Sequence, residues 1–173
     1  MTIPLLETER LTLRGHRLDD FAATAAMWSD PVVVRHFGGK PFTGEEAWTR
    51  LLRYAGHWTL LGFGYWVVEE KTTGLFAGEI GFAELHREIE PPLAGMPEIG
   101  WVVASAFHGW GFATEAARAV IAWGETHFGP VPTTCIIHPE NLASIRVAEK
   151  CGYREQRRTT YKGQPTIVLV RER

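Results

Sequence analysis

The chain has 173 residues, with 18 Lys and Arg against 20 Asp and Glu, a formal charge of −2, and 45% hydrophobic against 22% charged side chains. That is the balance of one ordinary globular domain able to bury its own core, and it lacks the basic footprint with which nucleic-acid binders displace counterions from phosphate. Nucleic acid is therefore not an expected partner, and Cys135 and Cys151, at neither a redox nor a zinc-ligand spacing, are expected as reduced core thiols with no metal between them.

The first residues, MTIPLLETERL, reach charged side chains too early for a secretory signal, and no run approaches the roughly 18 uninterrupted apolar residues of a membrane span. A single domain over residues 1–173, cytoplasmic and free of membrane contact, is the expectation. Residues 8–14 alternate polar and apolar side chains as a half-buried strand does. Leu18, Phe21, Ala22, Ala25 and Trp28 have helical spacing ahead of an Asp30-Pro31 stop, and Thr43 with Glu46 forms a capping box for a second helix through Trp48, Leu51, Leu52 and Tyr54.

A hairpin is predicted from Phe63–Glu70 and Leu75–Leu85 around Lys71-Thr-Thr-Gly74. Residues 86–97, with three prolines and a glycine, read as a surface loop of flexible composition, and Glu98–Ala104 as the next strand. The alanine-rich run Phe112–Phe128 gives a helix, Val131–His138 a strand and Asn141–Cys151 a helix. Tyr153–Tyr161 and Thr166–Arg171 close the chain as a hairpin around Lys162-Gly163.

In PEIGWVVASAFHGWGFATEAA a strand runs through a glycine-bearing loop directly into a helix. Gly109 and Gly111 let successive N–H groups converge, and the helix adds its unpaired amides and the positive end of its dipole, an arrangement suited to a pyrophosphate. A P-loop would need a Lys before Thr114, and a dinucleotide fingerprint a Gly or Ala where Thr114 stands, so a nucleotide-dependent oxidoreductase is disfavoured. Downstream, in HPENLASIRVAEKCGY, Asn141, Ser144 and Ala148 share one helical face, which turns an amide and a hydroxyl toward one cleft. Taken singly, Asn141 reads as an N-cap and Ser144 as an ordinary surface hydroxyl sooner than as catalytic groups.

The loop resembles the [QR]-x-x-G-x-[GA] signature of the GNAT N-acetyltransferase superfamily, with His108, Gly111 and Ala113 at the marked positions and His108 departing from the usual Gln or Arg. The later helix resembles that superfamily's N-x-x-[AS]-x-x-[LV]-x-x-K-x-G-[FY] segment through Asn141, Ser144, Val147, Lys150, Gly152 and Tyr153, and the whole chain from ETERLTLR onward resembles the RimJ/RimL branch. The resemblance implies an α/β fold with a mixed, mostly antiparallel sheet of six or seven strands, splayed after Glu98–Ala104, with helices on both faces. It implies acetyl-CoA as cosubstrate, bound by Trp101, Val102, Val103, His108, Gly109, Trp110, Gly111, Phe112, Ala113, Thr114, Asn141 and Ser144, and a primary amine as acceptor, a protein N-terminal α-amine or a small molecule.

It further implies direct attack of a neutral amine on the thioester, with the Val103 main-chain N–H at the oxyanion. Ser144 would serve the departing thiolate, because the tyrosine common at the position of Ala148 is absent. Glu98 is the candidate base, with Glu79 and Glu84 as alternatives. Trp28, Trp48, Trp58, Trp66, His36, Phe37 and the 86–97 loop are candidate acceptor contacts or, for the tryptophans, core. A homodimer is an accompanying expectation. A non-catalytic acyl-CoA-binding regulatory module is the competing reading, favoured by the His108 change and the missing tyrosine.

Overall fold

A computed structural model describes residues 2–93 and 95–172. Of the run expected as one strand over 8–14 only β2 (Leu11–Arg14) is extended; the Thr8 hydroxyl oxygen accepts from the Leu11 amide at 3.0 Å and turns the chain, so that a further short strand, β1 (Leu6–Glu7), pairs with β2 from ahead of that run. A 3-10 turn at Leu18–Asp20 leads into α1 (Phe21–Ser29). Asp30, expected to stop the helix, also starts a new one: its carboxylate accepts from the Val32 amide at 2.8 Å and caps α2 (Pro31–Val34), with Pro31 in the first-turn position that tolerates it. The Thr43/Glu46 capping box opens α3 (Gly44–Leu61), its two reciprocal bonds at 3.2 and 2.7 Å.

The remaining elements are β3 (Tyr65–Glu70), β4 (Phe76–Ala83), β5 (Glu98–Val103), α4 (Phe112–Phe128), β6 (Thr133–Ile137), α5 (Leu142–Lys150), β7 (Arg154–Tyr161) and β8 (Gln164–Arg171). Eight strands form one mixed sheet in the order β1-β2-β3-β4-β5-β6-β8-β7. The count exceeds six or seven because of β1, which lies ahead of the first expected strand. Of the paired strands only β5 and β6 run parallel, and they meet in register only at Glu98 and Thr134. Beyond that point they share no ladder, which is the expected splay.

Trp66, Val68, Ile80, Phe82 and Ile99 turn one face of the sheet into the main core with Ala116, Ala117 and Val120 of α4. On the opposite face Val102 packs with Met27 and Trp28 of α1 and Val33 and Val34 of α2. Both faces thus carry helices. Cys135 and Cys151 are buried free thiols, and burial pushes both above the usual thiol range.

The 86–97 segment is the expected surface loop, without helix or strand among its described residues, and it is also docked on the sheet. Ile89 is 2% exposed and packs on Val168 and Val170 of β8, the Thr159 hydroxyl donates to the Glu90 carbonyl at 2.9 Å, and Arg157 donates to the Pro91 carbonyl. Proline and glycine content registers backbone propensity alone. It carries no trace of the apolar face at β6 and β8, bare of any helix, that this segment covers; Ala94 lies outside the described residues.

Candidate active site

The Ala104 amide donates to the Ala77 carbonyl of the β4 side at 2.9 Å, while the Pro97 carbonyl accepts from the Thr134 amide of β6 at 3.0 Å. Main-chain groups alternate sides along a strand, so those of Ile99, Trp101 and Val103 turn toward β6. Since β6 has separated there, the N–H groups of Trp101 and Val103 open onto the splay. His108 supplies the other half of this arrangement: its Nε2–H donates to the Val103 carbonyl at 2.8 Å, which occupies the acceptor and leaves the Val103 N–H free.

Gly109 and Gly111 both have φ of +81°, a left-handed conformation that a Cβ disfavours. No side chain caps α4 behind Gly111, and among the described residues the amides of Phe112, Ala113 and Thr114 have no partner. The loop is therefore a cradle of donors at the positive end of a 17-residue helix. Phe112 is buried, Trp110 is exposed, and Trp101, Val103, Phe112, Ala113 and Ala116 line the groove that leads from the cradle along β5.

Across the splay, Asn141 caps α5 by accepting from the Ser144 amide at 3.1 Å, as its N-cap reading expects, and among the described residues its side-chain N–H₂ has no partner. The Ser144 hydroxyl oxygen accepts from Trp101 Nε1 at 3.3 Å, which joins α5 to β5. Ala148 is fully buried in the core. The structure thus gathers Trp101, Val103, Phe112 and Ala113 around one groove and ties Ser144 to Trp101, Asn141 to Ser144 and His108 to Val103, whereas the Val102 side chain packs on the opposite face.

Three carboxylates were expected as candidate bases. Glu98 is buried with both oxygens on the Arg87 guanidinium, at 2.6 and 2.7 Å. Glu79 is fully buried and accepts from Thr24 at 2.8 Å and Trp28 at 3.0 Å, with His16 at 3.3 Å. Burial would push its carboxyl up, but these bonds and the His16 charge outweigh it and hold it below the usual range. Glu84 is solvent-facing beside His86. Only Glu98 lies on the strand that borders the splay.

On the acceptor side, Trp28, Trp58 and Trp66 are core, while Trp48 is 40% exposed and meets Phe21 edge-on. Phe37 packs edge-on against Trp28. His36 stacks on His138 at 5.7 Å, bringing the end of α2 to the turn that precedes Asn141; burial holds His36 below the usual imidazole range.

Two further residues escaped sequence reasoning. Arg10 donates to Glu115 in the first turn of α4 at 2.7 Å and to the Trp110 carbonyl at 3.0 Å, and Asp30 accepts from Ser105 just before the loop. Strand alternation gave no signal for the first, and capping chemistry accounted for the second without it. Among the described residues no group of His, Cys, Asp and Glu is placed to hold a metal, and no described helix is long and apolar enough to cross a membrane.

Residues 10–154 match the family described as acetyltransferase (GNAT) domain. The chain is 32% identical to the YkkB protein of Bacillus subtilis over 96% of its own length and 95% of that protein's. An acetyltransferase from Agrobacterium tumefaciens superposes with a TM-score of 0.85 at 26% identity, covering 100% of this chain and 96% of that one. At 13% identity and a TM-score of 0.79, covering 98% of each chain, the ribosomal alpha-N-protein acetyltransferase RimL in complex with coenzyme A shares the fold. At 20% and 0.76, covering 95% and 94%, so does AAC(6')-Ib in complex with paromomycin and acetyl-CoA. With residues 10–154 matching the acetyltransferase (GNAT) domain and 32% identity to YkkB over nearly the whole of both chains, the chain belongs to the GNAT family of acetyl-CoA-dependent N-acetyltransferases.

Proposed function

We propose that the acceptor is a primary amine, a protein N-terminal α-amine as in the RimJ/RimL branch or a small-molecule amine, attacked directly without an acetylated protein intermediate. The observation that supports this most is the free Val103 N–H, left without a partner where β6 diverges from β5, on the strand whose Trp101 is bonded to Ser144. The residues fit acetyl-CoA: the unpartnered Phe112, Ala113 and Thr114 amides behind the glycine loop would take the pyrophosphate, and Trp101 and Val103 would border the arm that reaches inward.

The Val103 N–H is placed to stabilise negative charge on the thioester oxygen during attack. Because Ser144 accepts from Trp101, its own O–H is free to donate to the departing sulfur, and the Asn141 N–H₂ is free to hold the bound arm. Glu98 keeps lone pairs that the Arg87 fork leaves open, and one of these takes the amine's proton.

Titration with acetyl-CoA, followed in the same samples by thiol release against α-amine peptides, polyamines and aminoglycosides, tests this. Release with one amine class is expected and names it. Binding without release on any class would favour a non-catalytic acyl-CoA module, a role for which the matches give no support.

A further inference from the structure

Tyr65 opens β3 in register with Gly81 of β4, and Gly81 stands in register with Gly100 of β5. Alternation places all three on the face that also carries Glu98 and Val102, opposite α4 and α5. Two adjacent glycines leave a lane without side chains, and the Tyr65 side chain lies along it: a Cβ on Gly100 would stand 2.1 Å from the Tyr65 hydroxyl oxygen and 3.3 Å from its Cζ. The phenol oxygen therefore fills the place of the missing side chain, between Glu98 and Val102. Stacking on Tyr54 of α3, at 4.7 Å and 12° between planes, fixes the ring.

Among the described residues no group hydrogen-bonds this oxygen; the bond made by Tyr65 is from Trp58 to its carbonyl. Burial and then the nearby Glu98 charge push the phenol up to about 12, so it keeps its proton throughout the neutral range. On the other side of the cleft, Ala148 gives α5 no phenol to contribute.

We propose that Tyr65 binds the acceptor: its phenol oxygen, set in the gap at Gly100, accepts a hydrogen bond from the neutral amine and aims the nitrogen lone pair at the thioester held along Trp101–Val103. No proton moves to or from the phenol in this role. The proposal rests on the amine reading above and deepens it.

Steady-state kinetics with an alanine-starting hexapeptide, spermidine and paromomycin decide it, using Tyr65→Phe, Gly100→Ala and the double variant. Loss of one hydrogen bond to substrate is expected to lower acceptor kcat/KM about tenfold in Tyr65→Phe, mostly through KM, with acetyl-CoA affinity by titration unchanged. Gly100→Ala, which displaces the phenol without deleting it, is expected to reproduce that loss, and the double variant to be no worse than either. An acceptor kcat/KM within about twofold of wild type in Tyr65→Phe overturns the proposal, as does multiplicative loss in the double variant. Should Gly100→Ala melt early, Tyr65→Phe decides alone, since it removes one atom and keeps the stack. Wild-type turnover that is indifferent to Tyr65 sinks only this proposal, whereas no wild-type turnover on any probe removes the amine reading and this one with it.

Discussion

Substitution at Gly111 separates what its backbone conformation contributes to stability from what its missing side chain contributes to binding. At φ of +81° an L-residue bears the left-handed penalty of about 1 to 2 kcal/mol, partly offset because alanine also narrows the unfolded ensemble by about 0.5 kcal/mol. A Cβ at this position would meet only the Arg10 guanidinium at 3.6 Å, an ordinary contact, so no clash adds to that sum. Gly111→Ala is therefore expected to lower stability by about 1 kcal/mol, which for a domain of this size is about 2–4 °C in Tm. Gly111→Asn, better tolerated in that region, should lose roughly half as much.

Binding should follow a different order, because what counts there is bulk among the converging amides. Gly111→Val is expected to weaken acetyl-CoA by tenfold or more, about 1.4 kcal/mol, beyond any change explained by stability. Urea denaturation of the free protein and calorimetric titration with acetyl-CoA measure the two quantities independently. Full acetyl-CoA affinity in Gly111→Val would show the phosphate cradle to be misplaced. Equal stability losses for Ala and Asn would remove positive φ as the cause.

Ser144→Ala is expected to reduce kcat more than acetyl-CoA affinity, and single-turnover thiol release with unchanged rate would deny the hydroxyl a chemical role. Asn141→Ala should lose both a cap worth about 1 kcal/mol and part of the turnover, whereas Asn141→Asp keeps the cap and loses only the donor; melting curves with kinetics distinguish them. Arg87→Leu leaves the buried Glu98 carboxylate alone and is expected to cost about 3 kcal/mol in urea denaturation, which Glu98→Gln in the same chain should largely restore. Thr73 and Thr72 hydrogen bonds hold Glu70 at about 2, below its ordinary 4.5, so its stabilising effect is full above pH 4.5 and lost as pH falls toward 2. Glu70→Gln should flatten that acid limb, and an unaltered pH–stability slope there would refute the assignment.

What was legible in the sequence is what neighbouring residues decide. The bounds of α4 follow from a periodic alanine stripe between two glycines, the start of α3 from Thr43 and Glu46, and the last hairpin from Lys162-Gly163, both at positive φ. The cradle and the Asn–Ser helix were visible for the same reason, since each is a continuous segment whose chemistry depends on its own spacing. The docked 86–97 segment was not, because the Ile89 contact with Val168 and Val170 joins distant parts of the chain. Nor was the state of Glu98: its position at the head of β5 was apparent, but the Arg87 fork arrives from a loop whose path no local pattern gave.

The donor loop owes its shape to residues that the motif does not contain. Arg10 and Thr8, from the N-terminal hairpin, bind Glu115 in the first turn of α4, at 2.7 and 2.6 Å, and Arg10 also holds the Trp110 carbonyl. From the opposite face of the sheet Asp30, the cap of α2, binds Ser105, and His36 of the same segment stacks on His138 ahead of Asn141. α2 also packs on Val102, so one short helix and its flanks touch the strand that carries Val103, the approach to the glycine loop and the turn into the Asn–Ser helix. A substitution such as Asp30→Ala would then disturb acetyl-CoA binding and acceptor kinetics together, although Asp30 belongs to neither motif. The division into a donor half and an acceptor half, natural in the sequence, has no counterpart in what holds the site together.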